Sequence, residues 1–170
     1  MNETRPIILT ARPDDQAQAF FDAKRTAFFP PDRNYLDAHL TMFHALPPDN
    51  LDKISQDIQP AIDAPPPLQA KASDIMFMGF GSAYIIDCPQ LVTIRQQLVE
   101  KWGDDLSPQD RQKFKPHITF QNKVDADTAK AVYHEQSEVF EPFDFQITGL
   151  SLWYYDMGPW VHIRDLAFQA

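Results

Sequence analysis

A short pattern occurs twice in this chain, as Ala38-His39-Leu40-Thr41-Met42-Phe43 and as Lys115-Pro116-His117-Ile118-Thr119-Phe120. Each copy sets a histidine and a threonine two residues apart inside an apolar run. Side chains alternate along a strand, so His39 and Thr41 share one face while Leu40 and Met42 share the other. The same holds for His117 and Thr119 against Ile118 and Phe120. Each strand therefore buries one apolar face and offers an imidazole and a hydroxyl on its opposite side. The copies stand 78 residues apart in a chain of 170. A lone histidine of this kind reads as a satisfied core residue, whereas a repeated pair in matching halves points to one site between them.

The surrounding sequence supplies the halves. Pro6 to Pro13 reads as a strand, and Asp14-Asp15 opens a helix that Pro30-Pro31 stops. His39 to Leu46 is the next strand. Pro47-Pro48-Asp49 starts a helix striped by Leu51, Ile54 and Ile58, with Pro60 and then Pro65-Pro66-Pro67 expected to end it. Leu68–Gly79 and Ala83–Cys88 form a hairpin, and Pro89 to Gly103 is a helix with a glycine C-cap. His117 to Val124 is a strand, Asp125 caps another helix, and Phe143–Tyr155 with Trp160–Phe168 closes the chain as a second hairpin. The order β-α-β-α-β-β-α-β-α-β-β contains two hairpins, which demand antiparallel pairs and predict an α+β fold. Each half reads as strand, helix, hairpin. No flexible linker divides them, so residues 1–170 are expected to form one domain with two pseudo-symmetric lobes.

Composition narrows the function. The chain is 44% hydrophobic and 23% charged, with a net charge of −9. Proteins that track duplex DNA or long RNA carry a basic face, so neither is an expected partner. One cysteine, Cys88, forbids an intrachain disulfide and suits a reducing compartment. The N-terminal residues lack the apolar core of a signal peptide, and no run approaches the ~20 residues of a membrane span. A cytoplasmic, monomeric protein without membrane contact is the expectation.

Two histidines are what acid/base cleavage of a phosphodiester requires. Imidazole titrates near neutrality, so one copy can accept a proton while the other donates one. Threonine hydroxyls can bind the non-bridging oxygens where charge gathers. His39 and His117 are thus the candidate catalytic pair, with either able to be the base, and Thr41 and Thr119 the candidate phosphate binders. A zinc site built from His39, His117 and His162 is the rival use. No H-E-x-x-H, cysteine pair or clustered ligand spacing supports it, so no cofactor or metal is expected.

These motifs, their order and their spacing resemble the 2H phosphoesterase superfamily, in particular its bacterial 2′-5′ RNA ligase and cyclic phosphodiesterase group. The resemblance implies a duplicated two-lobed fold, with antiparallel sheets lining a central groove and helices outside. It implies metal-independent chemistry at a ribose 2′ position. The expected activity is hydrolysis of 2′,3′-cyclic phosphates of nucleotides or short RNA ends. The alternatives are 2′-5′ RNA ligation at the same site, or nucleotide binding without turnover. Many members follow the second motif with a basic residue. Here Gln121-Asn122-Lys123 follows, and Lys123, with the parity of His117, is the candidate contact.

Other residues carry two readings. Phe43 shares the parity of Thr41 and can stack on a base or fill the core. Tyr84, Trp153 and Tyr155 can stack as well, although packing is the commoner use of such rings. His44 has the wrong parity and reads as surface or structural, and His134 as solvated. Arg111, Lys113 and Lys115 form either a steering patch or a solubilising loop. Cys88 reads as a buried thiol, and Gly79-Phe80-Gly81-Ser82 as a turn rather than a phosphate loop.

Overall fold

In a computed structural model, which describes residues 3–63 and 66–168, seven strands form one sheet in which every pairing is antiparallel. The strands are β1 (Ile7–Pro13), β2 (Leu40–Leu46), β3 (Leu68–Phe77), β4 (Ser82–Asp87), β5 (His117–Gln121), β6 (Phe143–Tyr155) and β7 (Trp160–Ala167). The helices are α1 (Asp15–Phe28), α2 (Leu51–Asp63), α3 (Pro89–Trp102) and α4 (Ala126–Val139). The sheet runs β2-β1-β6-β3-β4-β5, with β7 added to β6. It curls as a half-barrel, so the two end strands β2 and β5, which carry the repeated motif, approach each other.

This single sheet has two arms. Strand β6 joins them: its first residues pair with β3, its later ones with β7, and most of its length with β1 on the opposite edge. The units β1-α1-β2 and β4-α3-β5 correspond. Each runs strand, helix, antiparallel edge strand, and each edge strand begins at a His-x-Thr.

Local chemistry sets the helix limits. Asp14 caps α1 by accepting from the Ala17 N–H at 2.8 Å, and Asp125 caps α4 by accepting from the Thr128 N–H at 2.9 Å. Gly103 follows α3 at φ 38°, a left-handed value that favours glycine. One expected stop is wrong. Pro60 lies inside α2, which continues to Asp63 and buries Ile54, Ile58 and Ile62. Proline removes one backbone donor, and the apolar stripe on the protein side outweighs that loss. Pro65 falls outside the described residues.

The core lies between the sheet and the helices. An aromatic cluster of Phe20, Phe21, Tyr84, Phe120, Phe143 and Phe145 fills the space beside α1. Phe43 and Trp102, with ring centroids 5.0 Å apart, fill it beside α3. Gly81 is a forced choice, because a Cβ there would collide with the Gln121 carbonyl of β5.

For Tyr84 and Phe43 the structure selects packing over stacking. Tyr84 is 1% exposed among these rings, and burial pushes its phenol pKa upward, so it faces no ligand. Phe43 is fully buried, with the Arg95 guanidinium 4.6 Å from its ring centroid. The cause is a β-bulge. Thr41 pairs with Thr10, but Phe43 pairs with the adjacent Leu9, so β2 uses two residues for one of β1. Alternation breaks after Thr41, and Phe43 turns inward along with Met42. Strand β5 has the same device after Thr119, since Thr119 pairs with Ala83 and Gln121 with Ser82. Gln121 is buried in consequence, as Phe43 is. The strand then stops, and Lys123 stands exposed beyond it at φ 64°. The parity that would align Lys123 with His117 does not reach it.

Candidate active site

His39 sits just before β2 and His117 opens β5. Each ring makes the same local bond. The His39 Nδ1–H donates to the Asp37 carbonyl at 2.8 Å, and the His117 Nδ1–H to the Lys115 carbonyl at 2.7 Å. A carbonyl only accepts, so Nδ1 carries the proton and Nε2 is left for chemistry in both rings. Thr41 and Thr119 stay half-buried between fully buried neighbours, in matching positions after matching histidines. The two strands that carry these residues are in contact, and His39 feels the proximity of His117.

The two histidines differ electrostatically. His39 is half-buried at the floor of the groove, where surrounding protein strips water from its charged form and pushes its pKa down to about 4. The bond to Asp37 opposes this shift, while the charge of Arg25 and the proximity of His117 and His44 reinforce it. At neutral pH His39 is uncharged and its Nε2 lone pair is free.

Helix α1 holds this arrangement from behind. Gln18, Asp22 and Arg25 recur at i, i+4 and i+7, which places them on one helix face. Gln18 donates to the Ala38 carbonyl at 2.7 Å, and Asp22 accepts from the Ala38 N–H at 2.8 Å, which fixes the residue before His39. Arg25 is 5% exposed; it donates through Nε to Asn34 Oδ1 at 2.8 Å and through Nη1 to the Thr119 carbonyl at 3.3 Å. Arg95 on α3 does the reciprocal work, donating to the Met42 carbonyl beside Thr41 at 3.2 Å. Each arm's helix thus supports the motif strand of the opposite arm. The only sequence signal of this polar stripe is the 18-22-25 spacing on an otherwise apolar helix face.

Arg25→Met is expected to have a specific signature. Loss of its bonds to Asn34 and Thr119 lowers stability by ~1.5–3 kcal/mol. Burial, the main cause of the low His39 pKa, is kept, so loss of the Arg25 charge is expected to move the acid limb of any rate profile only slightly upward from about pH 4. A thermal melt and a pH–rate profile, with Arg25→Lys as the conservative variant, check both effects.

A cavity of about 360 Å³ opens beside His39. Its wall includes Arg12, Tyr35, Trp153, Trp160, His162 and Asp165. Trp160 lies against His39, with ring centroids 4.5 Å apart, and Trp153 packs on His162 at 5.0 Å. Trp153 and His162 thus line the groove, whereas Tyr155 is exposed on β6. Trp160 gives no signal in the sequence, where it looks like an ordinary strand start after the Met157-Gly158-Pro159 turn.

A row of polar groups crosses this arm: Thr41, Thr10, Ser151 and Asp165 are successive cross-strand neighbours. The Trp153 Nε1–H donates to Thr10 Oγ1 at 3.0 Å, and Ser151 donates to Asp165 at 2.6 Å. His44 instead turns away, with Nδ1 3.2 Å from the buried carboxylate of Asp110. Burial works against ionisation of Asp110, but bonds from the His44 ring and from the His44 and Ala45 backbones outweigh it and hold its pKa low. His134 is exposed, Arg111 is tied to the Leu106 and Asp104 carbonyls, and Cys88 is buried ahead of α3.

A curled antiparallel sheet whose end strands bring two His-x-Thr motifs together is the architecture of a 2H phosphoesterase. The family model of the 2′-5′ RNA ligase superfamily matches residues 13–159, and the chain belongs to that superfamily. Among solved structures it is similar to TT0787 of Thermus thermophilus, at 13% identity over 96% of this chain and 97% of that one, with a TM-score of 0.69. It is also similar to E. coli LigT complexed with 3′-AMP, at 15% identity, 99% and 100% coverage, and a TM-score of 0.62. LigT complexed with phosphate gives 14% identity over the same shares and a TM-score of 0.61. These likenesses establish the fold. No curated protein sequence matches the chain. No helix among the described residues is long and apolar enough to cross a membrane.

Proposed function

We propose that this protein hydrolyses 2′,3′-cyclic phosphates of nucleotides or short RNA ends by two-histidine general acid/base catalysis. The observation that carries this reading is the matched pair of Nδ1-anchored imidazoles, each followed by a half-buried threonine, on two strands that meet. His39 is the base. Uncharged at neutral pH, its Nε2 takes a proton from a water that attacks phosphorus in line. His117 Nε2 gives its proton to the ribose oxygen as the P–O bond breaks. One P–O bond forms, one breaks, and the proton taken by His39 balances the one given by His117. Thr41 and Thr119 donate to the non-bridging oxygens, where negative charge accumulates.

Both threonines make this contact most strongly in the transition state. Thr41→Val and Thr119→Val, close in shape but without the donor, are each expected to lower kcat by roughly 10²-fold, within the range of a lost oxyanion donor. KM is expected to change much less. Steady-state kinetics on a cyclic nucleotide separate the two parameters.

The test of the reading itself is product formation from the four 2′,3′-cyclic nucleotides with EDTA present. Turnover that persists in EDTA and yields a single 2′- or 3′-monophosphate supports it, and the product identifies the bond cleaved. Ligation of RNA ends in the absence of hydrolysis would replace it with the ligase reading. Binding with the ligand returned unchanged would replace it with a binding module.

A further inference from the structure

Asp110 is the only buried carboxylate among the described residues, at 0% exposed, and the proposed reaction makes no use of it. A buried charge is costly unless its oxygens are partnered. Here both are. Oδ1 accepts from the His44 N–H at 2.8 Å and lies 3.2 Å from His44 Nδ1, and Oδ2 accepts from the Ala45 N–H at 2.9 Å. Amides of consecutive residues in a regular strand point to opposite edges. These two converge on one carboxylate where β2 slips against β1: Leu46 pairs with Ile7 and Phe43 with Leu9, so β2 spends one residue more than its neighbour.

Asp110 belongs to the loop between α3 and β5, whose last residues set His117. The Lys115 carbonyl holds the His117 ring, and the Pro116 carbonyl accepts from the Ile86 N–H of β4 at 3.0 Å. Helix α3 grips the same loop. Arg95, 6% exposed, donates to the carbonyls of Asp110 at 2.6 Å and Gln112 at 3.3 Å, besides that of Met42 on β2. Its guanidinium lies 4.6 Å from the Phe43 ring centroid and 5.2 Å from that of Phe114. One carboxylate and one guanidinium thus fasten the loop that ends at His117 to the strand that begins after His39. Among the described residues β2 pairs only with β1, and β5 only with β4, so no backbone ladder joins the two motif strands. Side chains must bridge them, and Asp110 reaches β2 from the His117 side.

We propose that Asp110 is a positioning residue that fixes the separation of His39 and His117 by clasping the loop before His117 onto β2. The proposal rests on the two-histidine reading of the site and names what holds its halves in place. It gives Asp110 no contact with substrate.

The experiment compares Asp110→Ala, Asp110→Asn and Ile58→Ala with the wild type. Ile58→Ala removes a buried side chain of α2 and none of the bonds of the clasp, so it isolates lowered stability. Thermal melts place every assay below the transition of each variant. Hydrogen exchange is expected to quicken at His44, Ala45 and residues 106–116 in Asp110→Ala and not in Ile58→Ala. Unchanged exchange there would overturn the clasp.

Steady-state kinetics on a 2′,3′-cyclic nucleotide then read its effect. Asp110→Ala is expected to lower kcat by up to about 10²-fold, the effect of a displacement of ~1 Å at reacting groups, with a smaller rise in KM. Asp110→Asn keeps one acceptor oxygen and is expected to fall between Asp110→Ala and the wild type; it decides the matter by the same criteria if Asp110→Ala does not fold. Ile58→Ala is expected to melt lower with an unchanged kcat. An Asp110→Ala protein that behaves like Ile58→Ala would make the residue a support for folding alone and overturn the proposal.

Inorganic phosphate supplies a readout without turnover. In the proposed site Thr41 and Thr119 bind it from different strands. Its affinity by calorimetry is therefore expected to fall roughly 2- to 10-fold in Asp110→Ala, the worth of one hydrogen bond, and to stay unchanged in Ile58→Ala. That loss, combined with no turnover of cyclic phosphates by the wild type, would keep the positioning role and reject the hydrolase reading. A wild type that neither binds phosphate nor turns over a cyclic phosphate would overturn both.

Discussion

His39→Ala and His117→Ala are each expected to lower the proposed cyclic phosphodiesterase activity by ~10²–10⁴-fold, the usual contribution of a general acid or base. The double variant is expected to be little worse than the poorer single one. Base and acid act in one concerted displacement, so the second loss removes a step that the first has already stalled. Folding survives, because each ring bonds only to a backbone carbonyl two residues away and neither belongs to the core. Circular dichroism and kinetics on the three variants test this. Full activity in His39→Ala would end the assignment.

The same substitution has an opposite consequence for stability. The folded His39 binds its proton only near pH 4, whereas an unfolded imidazole binds near 6.5. As pH falls from 6.5 to 4, the unfolded chain takes up a proton that the folded one refuses, and the wild type loses stability. His39→Ala lacks that loss. Its Tm relative to wild type is therefore expected to improve as pH falls through this window, while its activity stays low throughout.

Phe43→Ala is expected to cost ~3–5 kcal/mol, as for other buried aromatic truncations. In a chain of this size that lowers Tm by about 10 °C or more. The ring fills space between β2 and α3 against Trp102, and its loss also removes the face over which Arg95 lies. Phe43→Leu should recover much of the deficit. A ring that stacked on substrate would behave differently, with a raised KM and an unchanged melt. Thermal denaturation of both variants, with KM measured below the transition, separates the two roles.

The contrast between Phe43 and Thr41 shows how far the sequence could be read. The histidine and threonine of each motif lie within the first residues of a strand, where period-two alternation holds. That made both faces, and hence the candidate site, legible. Two residues later a bulge shifts the phase, and no residue type at Met42–Phe43 or Phe120–Gln121 announces it. The parity arguments for Phe43 and Lys123 broke down for that shared reason. The α+β class and antiparallel pairing were legible from hairpins and caps that are local in sequence. The cavity was not, because Trp160, His162 and Asp165 come from the last strand and meet His39 only through β1 and β6. Pro60 misled because the breaker rule is local, whereas the burial of Ile58 and Ile62 is tertiary.

The strand β6 that joins the two arms has a consequence for how the molecule comes into being. Ile7 of β1 finds its partner at Tyr154, and nothing else in the sheet bridges β1 to β3. Until the last fifth of the chain is available, the arm carrying His39 and the arm carrying His117 have no common backbone frame. Such long-separated pairings make folding slow. An N-terminal fragment that stops before Phe143 holds both histidines but lacks the strand that joins their arms into one sheet, and is left with side-chain ties such as those of Arg25 and Arg95 to orient one toward the other.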